Sequence, residues 1–201
     1  MFIAFEGIDG SGKSTQAKML ANYFVQKGKQ VELTAEPTKH SIGKIIRAAF
    51  AKEIELQEST IAALFAADRL EHIQAPENGM LAQLNEGKIV ITDRYYLSSY
   101  AYHSVHVPMN WVIQSNSLAA SILKPTINFF IDIDPKIAMQ RILTTRTNIE
   151  LYETEENLIA VRNNYLKAFD LIGETEKIIT INGNQSTENV FQDIINVIQN
   201  L

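Results

Sequence analysis

The sequence predicts an α/β fold in which a five-stranded parallel sheet lies between two layers of helices. Five short segments rich in Val, Ile and Phe alternate with longer helical patterns, which is typical of such folds. Several of these segments are nearly continuous apolar runs, as expected for strands buried on both faces. A glycine-rich turn also joins the first strand to the first helix. The three observations together favour a three-layer α/β/α arrangement.

Each element can be assigned from its local pattern. The predicted strands are Phe2–Phe5, Gln30–Thr34, Lys88–Thr92, Ile127–Ile133 and Lys177–Ile181. The predicted helices are Lys13–Lys27, Ser41–Lys52, Gln57–Leu84, Pro135–Thr145, Thr154–Ile172 and Thr187–Gln199. Pro76 and Gly79 are expected to bend or break the third helix. Parallel strands end at one edge of the sheet, so a ligand site is expected beyond their carboxyl ends.

Composition limits the classes of function. The chain has 201 residues and is expected to form a single domain over residues 1–201. It has no Cys, which excludes disulfides and Cys-based metal sites. The net charge of −5 argues against binding of a nucleic acid polymer, which needs a basic surface. We expect no membrane segment and no signal peptide, and therefore a cytoplasmic location.

The glycine-rich turn fits the phosphate-binding pattern GxxxxGK[ST] in full. It comprises Gly7, Ile8, Asp9, Gly10, Ser11, Gly12, Lys13 and Ser14, followed by Thr15, and we call residues 7–14 the phosphate loop. Glycines let the backbone turn its N–H groups toward phosphate oxygens, and the following helix adds its positive end. Lys13 is expected to reach the β- and γ-phosphates of ATP, and the Ser14 hydroxyl to ligate Mg²⁺. The sequence therefore predicts a P-loop nucleoside triphosphate-binding fold.

A second acidic position follows the strand Lys88–Thr92. Asp93 lies at the carboxyl end of this strand, where P-loop proteins place an acid for Mg²⁺. The alternative is that Asp93 only caps the next helix. Arg94 could grip a phosphate in a bidentate manner, or could form a surface ion pair.

Taken together, these segments resemble the thymidylate kinase family over nearly the whole chain. The matching segments are FEGIDGSGKST at positions 5–15, Glu36-Pro37, FAADR at 65–69, DRYYLSSYAY at 93–102, Lys124-Pro125 and ELYE at 150–153. The resemblance implies transfer of a phosphoryl group from ATP to thymidylate (dTMP), for dTTP synthesis, with Mg²⁺. It also implies a homodimer.

The resemblance implies roles for the acceptor side. Phe65 would stack on the pyrimidine, and Arg69, one helical turn later, would bond its edge. Asp9 would accept a hydrogen bond from the 3′-hydroxyl, and Tyr102 would crowd the 2′ position of the sugar. The other acceptor-site residues are Glu36, Arg47, Arg94, Ser98, Ser99 and His103, of which Arg47 and Arg94 would hold the phosphate. Without the resemblance, Phe65 would be assigned to the core, Arg47 to the solvated surface and Asp9 to shaping the turn.

Three positions depart from the family pattern. His103 stands where Gln is common, and neutral His presents its donor and its acceptor in different directions. Ala35 replaces a frequent Arg. Gly10 stands where some members carry a catalytic Arg, so the cation is expected from a mobile lid at about residues 141–157. Arg146 is the candidate for this catalytic arm, unless it only complements a helix dipole, and Arg141 is assigned to the nucleotide side.

The predicted reaction is direct in-line transfer, in which Lys13, Arg94, Arg146 and Asp9 are the catalytic candidates. One alternative is a kinase for another pyrimidine monophosphate such as dUMP, because of His103. The other is a P-loop nucleotide switch. GTPase switches normally carry an [NT]KxD motif, and Thr38-Lys39 is followed by His40-Ser41 instead.

Overall fold

The computed structural model describes residues 1–145 and 154–201. Its centre is a five-stranded sheet formed by β1 (Phe2–Glu6), β2 (Val31–Ala35), β3 (Ile89–Asp93), β4 (Ile127–Asp132) and β5 (Ile178–Asn182). All neighbouring strands pair in parallel, in the order β2-β3-β1-β4-β5. The predicted fold class is confirmed, and each strand begins or ends within one or two residues of its predicted bounds.

Ten α-helices are present in the described part of the chain. They are α1 (Lys13–Gln26), α2 (Ser41–Phe50), α3 (Glu58–Gln74), α4 (Met80–Asn85), α5 (Tyr96–Tyr102), α6 (Met109–Ser115), α7 (Ser117–Ile122), α8 (Pro135–Thr145), α9 (Glu155–Ile172) and α10 (Thr187–Ile198). The predicted segment Gln57–Leu84 is two helices, α3 and α4, separated at Ala75–Gly79 as the Pro and Gly suggested. Helices α5, α6 and α7 were not predicted. None of the helices in residues 1–145 and 154–201 is long and apolar enough to cross a bilayer.

The sheet is covered on both faces. On one face, residues of β1, β3 and β4 pack with α5 and α9, where Tyr95, Tyr96 and Tyr165 are fully buried. On the other face, Phe5 and Phe129 pack with α1 and α10. A smaller cluster joins α2 to α3 through Ile46, Ile61 and Phe65. This third cluster extends the structure beyond the carboxyl edge of the sheet and forms one wall of the site described below.

Candidate active site

One continuous cavity of about 1530 Å³ lies beyond the carboxyl ends of the strands. The predicted residues that line it are Asp9, Gly10, Ser11, Gly12, Lys13, Ser14, Thr15, Glu36, Arg47, Phe65, Arg69, Asp93, Arg94, Ser98, Ser99, Tyr102, His103 and Arg141. The structure thus brings both ends of the predicted site into one space. Gly7 and Ile8, which were also predicted for the site, are buried and do not line the cavity, and the Ile8 side chain belongs to the core. Arg146 lies outside the described residues, as do residues 146–153 of the predicted lid.

The phosphate loop has three glycines with positive φ, a conformation that glycine adopts without strain. Gly7, Gly10 and Gly12 have φ angles of 141°, 78° and 95°, which other residues rarely adopt. The Lys13 ammonium is buried at the start of α1 and donates to the Ile8 carbonyl oxygen at 2.8 Å. Burial lowers the pKa of Lys13 to about 8, and the neighbouring Arg94 adds to this, against the carboxylates of Asp9 and Asp93. A bound polyphosphate would reverse the shift, so this lysine is matched to an anion.

Gly10 is also restricted by its neighbour. A Cβ at this position would lie 2.5 Å from the Ala138 carbonyl oxygen of α8. The backbone of α8 therefore leaves no room for a side chain there. This gives a physical reason why position 10 carries no arginine in this chain.

The metal candidates Ser14 and Asp93 lie side by side. The Ser14 hydroxyl donates to Asp93 Oδ2 in a short hydrogen bond, which joins α1 to the end of β3. Asp93 Oδ1 is buried and has no hydrogen-bond partner among the described residues. Hydroxyl and carboxylate oxygens are the ligands that Mg²⁺ prefers, so the pair fits this ion.

Arg94 is the centre of a polar cluster between the two ends of the cavity. Its Nη2 donates to Asp9 Oδ1 at 2.5 Å and to the Tyr102 hydroxyl at 3.2 Å. The Tyr102 hydroxyl donates to Asp9 Oδ2 at 2.9 Å, and the guanidinium carbon lies 4.6 Å from the Tyr102 ring centroid. The sequence separated these three residues by up to 93 positions, and the sheet edge brings them together.

Arg94 also has an unusual backbone. Its φ angle is 74°, in the left-handed region that costs a non-glycine residue roughly 1–2 kcal/mol. The following N–H, of Tyr95, donates to Glu6 Oε1 at 2.9 Å. Glu6 was not predicted as a site residue. Burial raises the pKa of Glu6 to about 7, against the hydrogen bond from Ser98 and the charge of Arg94, which lower it.

Arg69 is held by Glu36 and Asn116 at the far end of the cavity. Its side chain is 1% exposed, Nε donates to Glu36 Oε2 at 2.8 Å, and Nη2 lies 2.6 Å from the same oxygen in an ion pair. Nη1 donates to Asn116 Oδ1 in a short bond, and His72 Nδ1 lies 3.1 Å from Glu36 Oε1. Two of the five guanidinium N–H groups thus donate to protein acceptors, which leaves donors for a base edge. Asn116 and His72 were missed by the sequence analysis.

Phe65 and His103 form an aromatic wall beside Arg69. Their ring centroids are 4.8 Å apart, and Phe50 lies 5.9 Å from Phe65 on the other side. Burial, the charge of Arg69 and that of His106 lower the pKa of His103 to about 3, so its imidazole is neutral at ordinary pH. The hydroxyl of Ser99, one turn earlier, is buried without a hydrogen-bond partner among the described residues.

Arg47 and Arg141 lie at opposite ends of the cavity. Arg47 is exposed and donates from Nη1 to the Pro37 carbonyl oxygen at 2.8 Å and from Nη2 to that of Thr38. Arg141 donates to the carbonyl oxygens of Gly183 and Gln185 at 3.1 and 3.4 Å. The loop after β5 therefore lies next to Arg141. Thr187 and Val190 of α10, which were not predicted as site residues, also line the cavity.

The fold and the site define a P-loop nucleoside monophosphate kinase. A phosphate loop with an acid at the end of the adjacent strand is the arrangement that P-loop proteins use for nucleoside triphosphates. The second half of the same cavity carries an aromatic wall and two arginines that are each paired with a carboxylate.

Comparisons with known proteins give the family. The family model for thymidylate kinase matches residues 5–194. A probable thymidylate kinase of Pyrococcus horikoshii is 40% identical over 204 residues, covering 98% of this chain and 95% of that protein. A probable thymidylate kinase of Thermococcus kodakarensis is 39% identical, covering 100% and 98%. The thymidylate kinase of Thermosipho africanus is 35% identical, covering 99% and 98%. The chain belongs to the thymidylate kinase family.

Proposed function

We propose that this enzyme transfers the γ-phosphoryl group of Mg²⁺-bound ATP to dTMP, giving dTDP and ADP for dTTP synthesis. The observation that carries the proposal is the single cavity with a phosphate loop at one end and an aromatic and arginine-lined pocket at the other. Arg94 lies between the two ends. Family membership, supported by relatives that are named thymidylate kinases, favours dTMP over other acceptors.

The donor side holds ATP. The backbone N–H groups of the phosphate loop and the start of α1 bind the β- and γ-phosphates, and Lys13 neutralises their charge. Arg141 and the wall formed by Gln185, Thr187 and Val190 accommodate the adenosine part. Ser14 and Asp93 hold the magnesium ion, which supplies charge neutralisation on the phosphate oxygens when bound.

The acceptor side orients dTMP. Phe65 stacks on the pyrimidine, and the free donors of Arg69 bond its carbonyl edge, with Ser99 and His103 nearby. Asp9 receives the 3′-hydroxyl, and Tyr102 stands against the 2′ position and favours deoxyribose. Arg94 and Arg47 hold the acceptor phosphate.

The chemical step needs little beyond placement and charge. The phosphate of dTMP is already an anionic nucleophile, so no strong general base is required. Lys13 and Arg94 stabilise the charge that spreads over the transferring group, and Arg146, which lies outside the described residues, is assigned to the same role. Exclusion of water by the lid protects ATP from hydrolysis.

The test is a coupled assay of ADP formation over a panel of dTMP, dUMP, dCMP, dAMP and dGMP. We expect the highest kcat/KM for dTMP. A preference for dUMP would support the alternative acceptor, and a preference for a purine would contradict the dTMP assignment. Slow GTP hydrolysis without transfer to any monophosphate would favour a nucleotide switch instead.

A variant of the phosphate loop tests the donor site. Lys13→Ala should abolish transfer and leave thermal unfolding cooperative, because the lysine neutralises phosphate charge and is not part of the apolar core. Lys18→Ala is the matched control, since Lys18 is an exposed lysine of the same helix. Near-normal turnover of Lys13→Ala would refute the donor-site assignment.

The homodimer and the cytoplasmic location expected from the sequence stay predictions. The homodimer rests on the family resemblance. Light scattering after size exclusion measures the mass directly, and a value near one chain would contradict it.

A further inference from the structure

Glu6 is a buried carboxyl that the proposed reaction does not use. It is the last residue of β1, its side chain is 0% exposed, and it directly precedes the phosphate loop. A carboxyl group taken out of water is costly unless hydrogen-bonded donors surround it. Here the donors come from two other parts of the chain. The Tyr95 N–H approaches from the turn after β3, the Ser98 hydroxyl from the adjoining helix α5, and the Tyr165 hydroxyl from α9.

The backbone around Arg94 is held by a short series of bonds that ends at Glu6. The Arg94 N–H donates to the Phe5 carbonyl oxygen at 2.9 Å, and the Thr92 hydroxyl donates to the Arg94 carbonyl oxygen at 2.9 Å. The next N–H, of Tyr95, donates to Glu6 Oε1 at 2.9 Å. A left-handed arginine persists only where its surroundings determine it. Glu6 supplies the bond on the carboxyl side of that conformation.

The side chain of Arg94 is linked to Glu6 as well. The Ser98 hydroxyl donates to Glu6 Oε2 at 2.5 Å, and its oxygen accepts from Arg94 Nη1 at 3.3 Å. The Tyr165 hydroxyl donates to the same Oε2 at 3.0 Å. Ser98 can accept from Arg94 in this orientation because its own proton points to Glu6. The carboxyl group therefore sets both the backbone and the guanidinium of Arg94 without touching either the cavity or a substrate.

We propose, on the basis of the proposed function, that Glu6 is a positioning residue for phosphoryl transfer, which acts by holding Arg94 toward the acceptor phosphate. A glutamine in its place keeps an acceptor for the Tyr95 N–H. It then presents an amide NH₂ to Ser98 and Tyr165, where the carboxylate, the form of Glu6 that predominates above about pH 7, presented an acceptor. Ser98 loses the acceptor for its proton, and its oxygen is shared between the amide and Arg94. Arg94 is left less constrained, whereas Lys13 and the phosphate loop keep their contacts.

The experiment compares Glu6→Gln with wild type in the coupled assay, with dTMP and ATP varied separately. We expect kcat/KM for dTMP to fall about tenfold, because Arg94 contacts the acceptor phosphate, while KM for ATP stays within about twofold. Glu176→Gln is the matched control. The Glu176 side chain is only 5% exposed and accepts from the Tyr96 hydroxyl at 2.8 Å. Its described partners are Tyr96, Asn128 and Lys124 and do not include Arg94 or Ser98, so the kinetic constants of this variant should be unchanged.

A double-mutant cycle with Arg94→Ala distinguishes positioning from general structural support. If Glu6 acts through Arg94, Glu6→Gln should change kcat/KM by less than about twofold in the Arg94→Ala background. The same tenfold loss in both backgrounds, or an equal rise in both KM values, would overturn the positioning role. If Glu6→Gln does not fold, Ser98→Ala provides a second double-mutant cycle with Arg94→Ala. This variant removes only the hydrogen bonds that connect the Glu6 carboxyl group to the Arg94 guanidinium through the Ser98 hydroxyl. A wild-type chain that does not phosphorylate dTMP would overturn the proposed function and this inference with it, whereas an active wild type with additive effects overturns the inference alone.

Discussion

His103 should make the stability of this protein sensitive to acid. Its pKa falls from the ordinary 6.5 to about 3 because the ring is buried, with smaller effects of the same sign from Arg69 and His106. In the unfolded chain the same imidazole titrates at its ordinary pKa. Below that value the unfolded state binds a proton that the folded state does not bind. The contribution of His103 to stability is therefore fully present above pH 6.5 and is lost as the pH falls toward about 3.

The size of this effect follows from the pKa values. At about pH 5, the unfolded imidazole is roughly 1.5 pH units below its pKa, and each unit corresponds to about 1.36 kcal/mol. We therefore expect His103 to lower the free energy of unfolding by about 2 kcal/mol between about pH 7.5 and about pH 5. The contribution of Glu6 to stability changes with pH in the opposite direction. Its raised pKa, about 7 against an ordinary 4.5, gives stability that is lost as the pH rises through this range.

The contributions of His103 and Glu6 change over the same pH range. The effect of His103 is therefore measured as a difference between wild type and a His103 variant. Urea unfolding of wild type and of His103→Gln at both pH values should show that wild type loses about 2 kcal/mol more on acidification. Glu6 is present in both proteins, so its contribution cancels. His40→Gln, at an exposed histidine, should behave as wild type. Equal pH dependence of wild type and His103→Gln would refute the assignment of a buried, neutral imidazole.

Three further predictions concern the rest of the site. Gly10→Ala should lower the free energy of unfolding by at least about 1 kcal/mol more than Gly28→Ala in urea titrations. Both positions have positive φ, but only the Cβ at Gly10 meets backbone, at 2.5 Å. Glu36→Gln should cost about 3 kcal/mol and raise KM for dTMP, because it leaves the buried guanidinium of Arg69 without its carboxylate. Arg141→Ala should raise KM for ATP about tenfold, the loss of roughly one charge-assisted contact, and leave KM for dTMP unchanged.

Each of these variants has a counterpart that should have little effect. For Glu36→Gln it is Glu86→Gln, whose ion pair with Lys88 is exposed and should be worth less than about 1 kcal/mol. For Arg141→Ala it is Lys136→Ala, an exposed cation of the same helix. Equal costs within either pair would contradict the corresponding prediction. A Gly10→Ala protein as stable as Gly28→Ala would show that α8 can move away from the phosphate loop.

The parts of the fold that could be predicted are those whose signal is local. Buried strands are apolar runs, and α1 and α8 have recognisable start or end residues, so their bounds were close to the observed ones. Helix α5 was missed because residues Tyr96–Ala101 are all buried, which leaves no polar face to give a helical period. Helices α6 and α7 are six or seven residues each, too short to show a periodic pattern.

The site residues also divide into those that a local motif predicts and those that depend on contacts between distant parts of the chain. Residue types within one motif could be assigned from sequence, as for Lys13 and Ser14. The partners of Glu6 are 89, 92 and 159 positions away, and Arg69 meets Asn116 across 47 positions. Nothing in the local sequence distinguishes such a carboxylate from an ordinary strand end. These contacts exist only because the sheet order places β3 beside β1 and the connecting helices above that edge.

The hydrogen bonds that hold Arg69 have a consequence for how the specificity of this enzyme can evolve. The residue that is expected to read the base is also the junction of three chain segments, through Glu36 and Asn116. Replacement of Arg69 would alter ligand choice and unfold part of the scaffold together, so such a change would seldom survive selection. The hydroxyl of Ser99 has no hydrogen-bond partner among the described residues, so its replacement breaks no described bond between chain segments. A change of specificity toward a new acceptor is therefore expected to begin with substitution of Ser99, while Arg69 is retained.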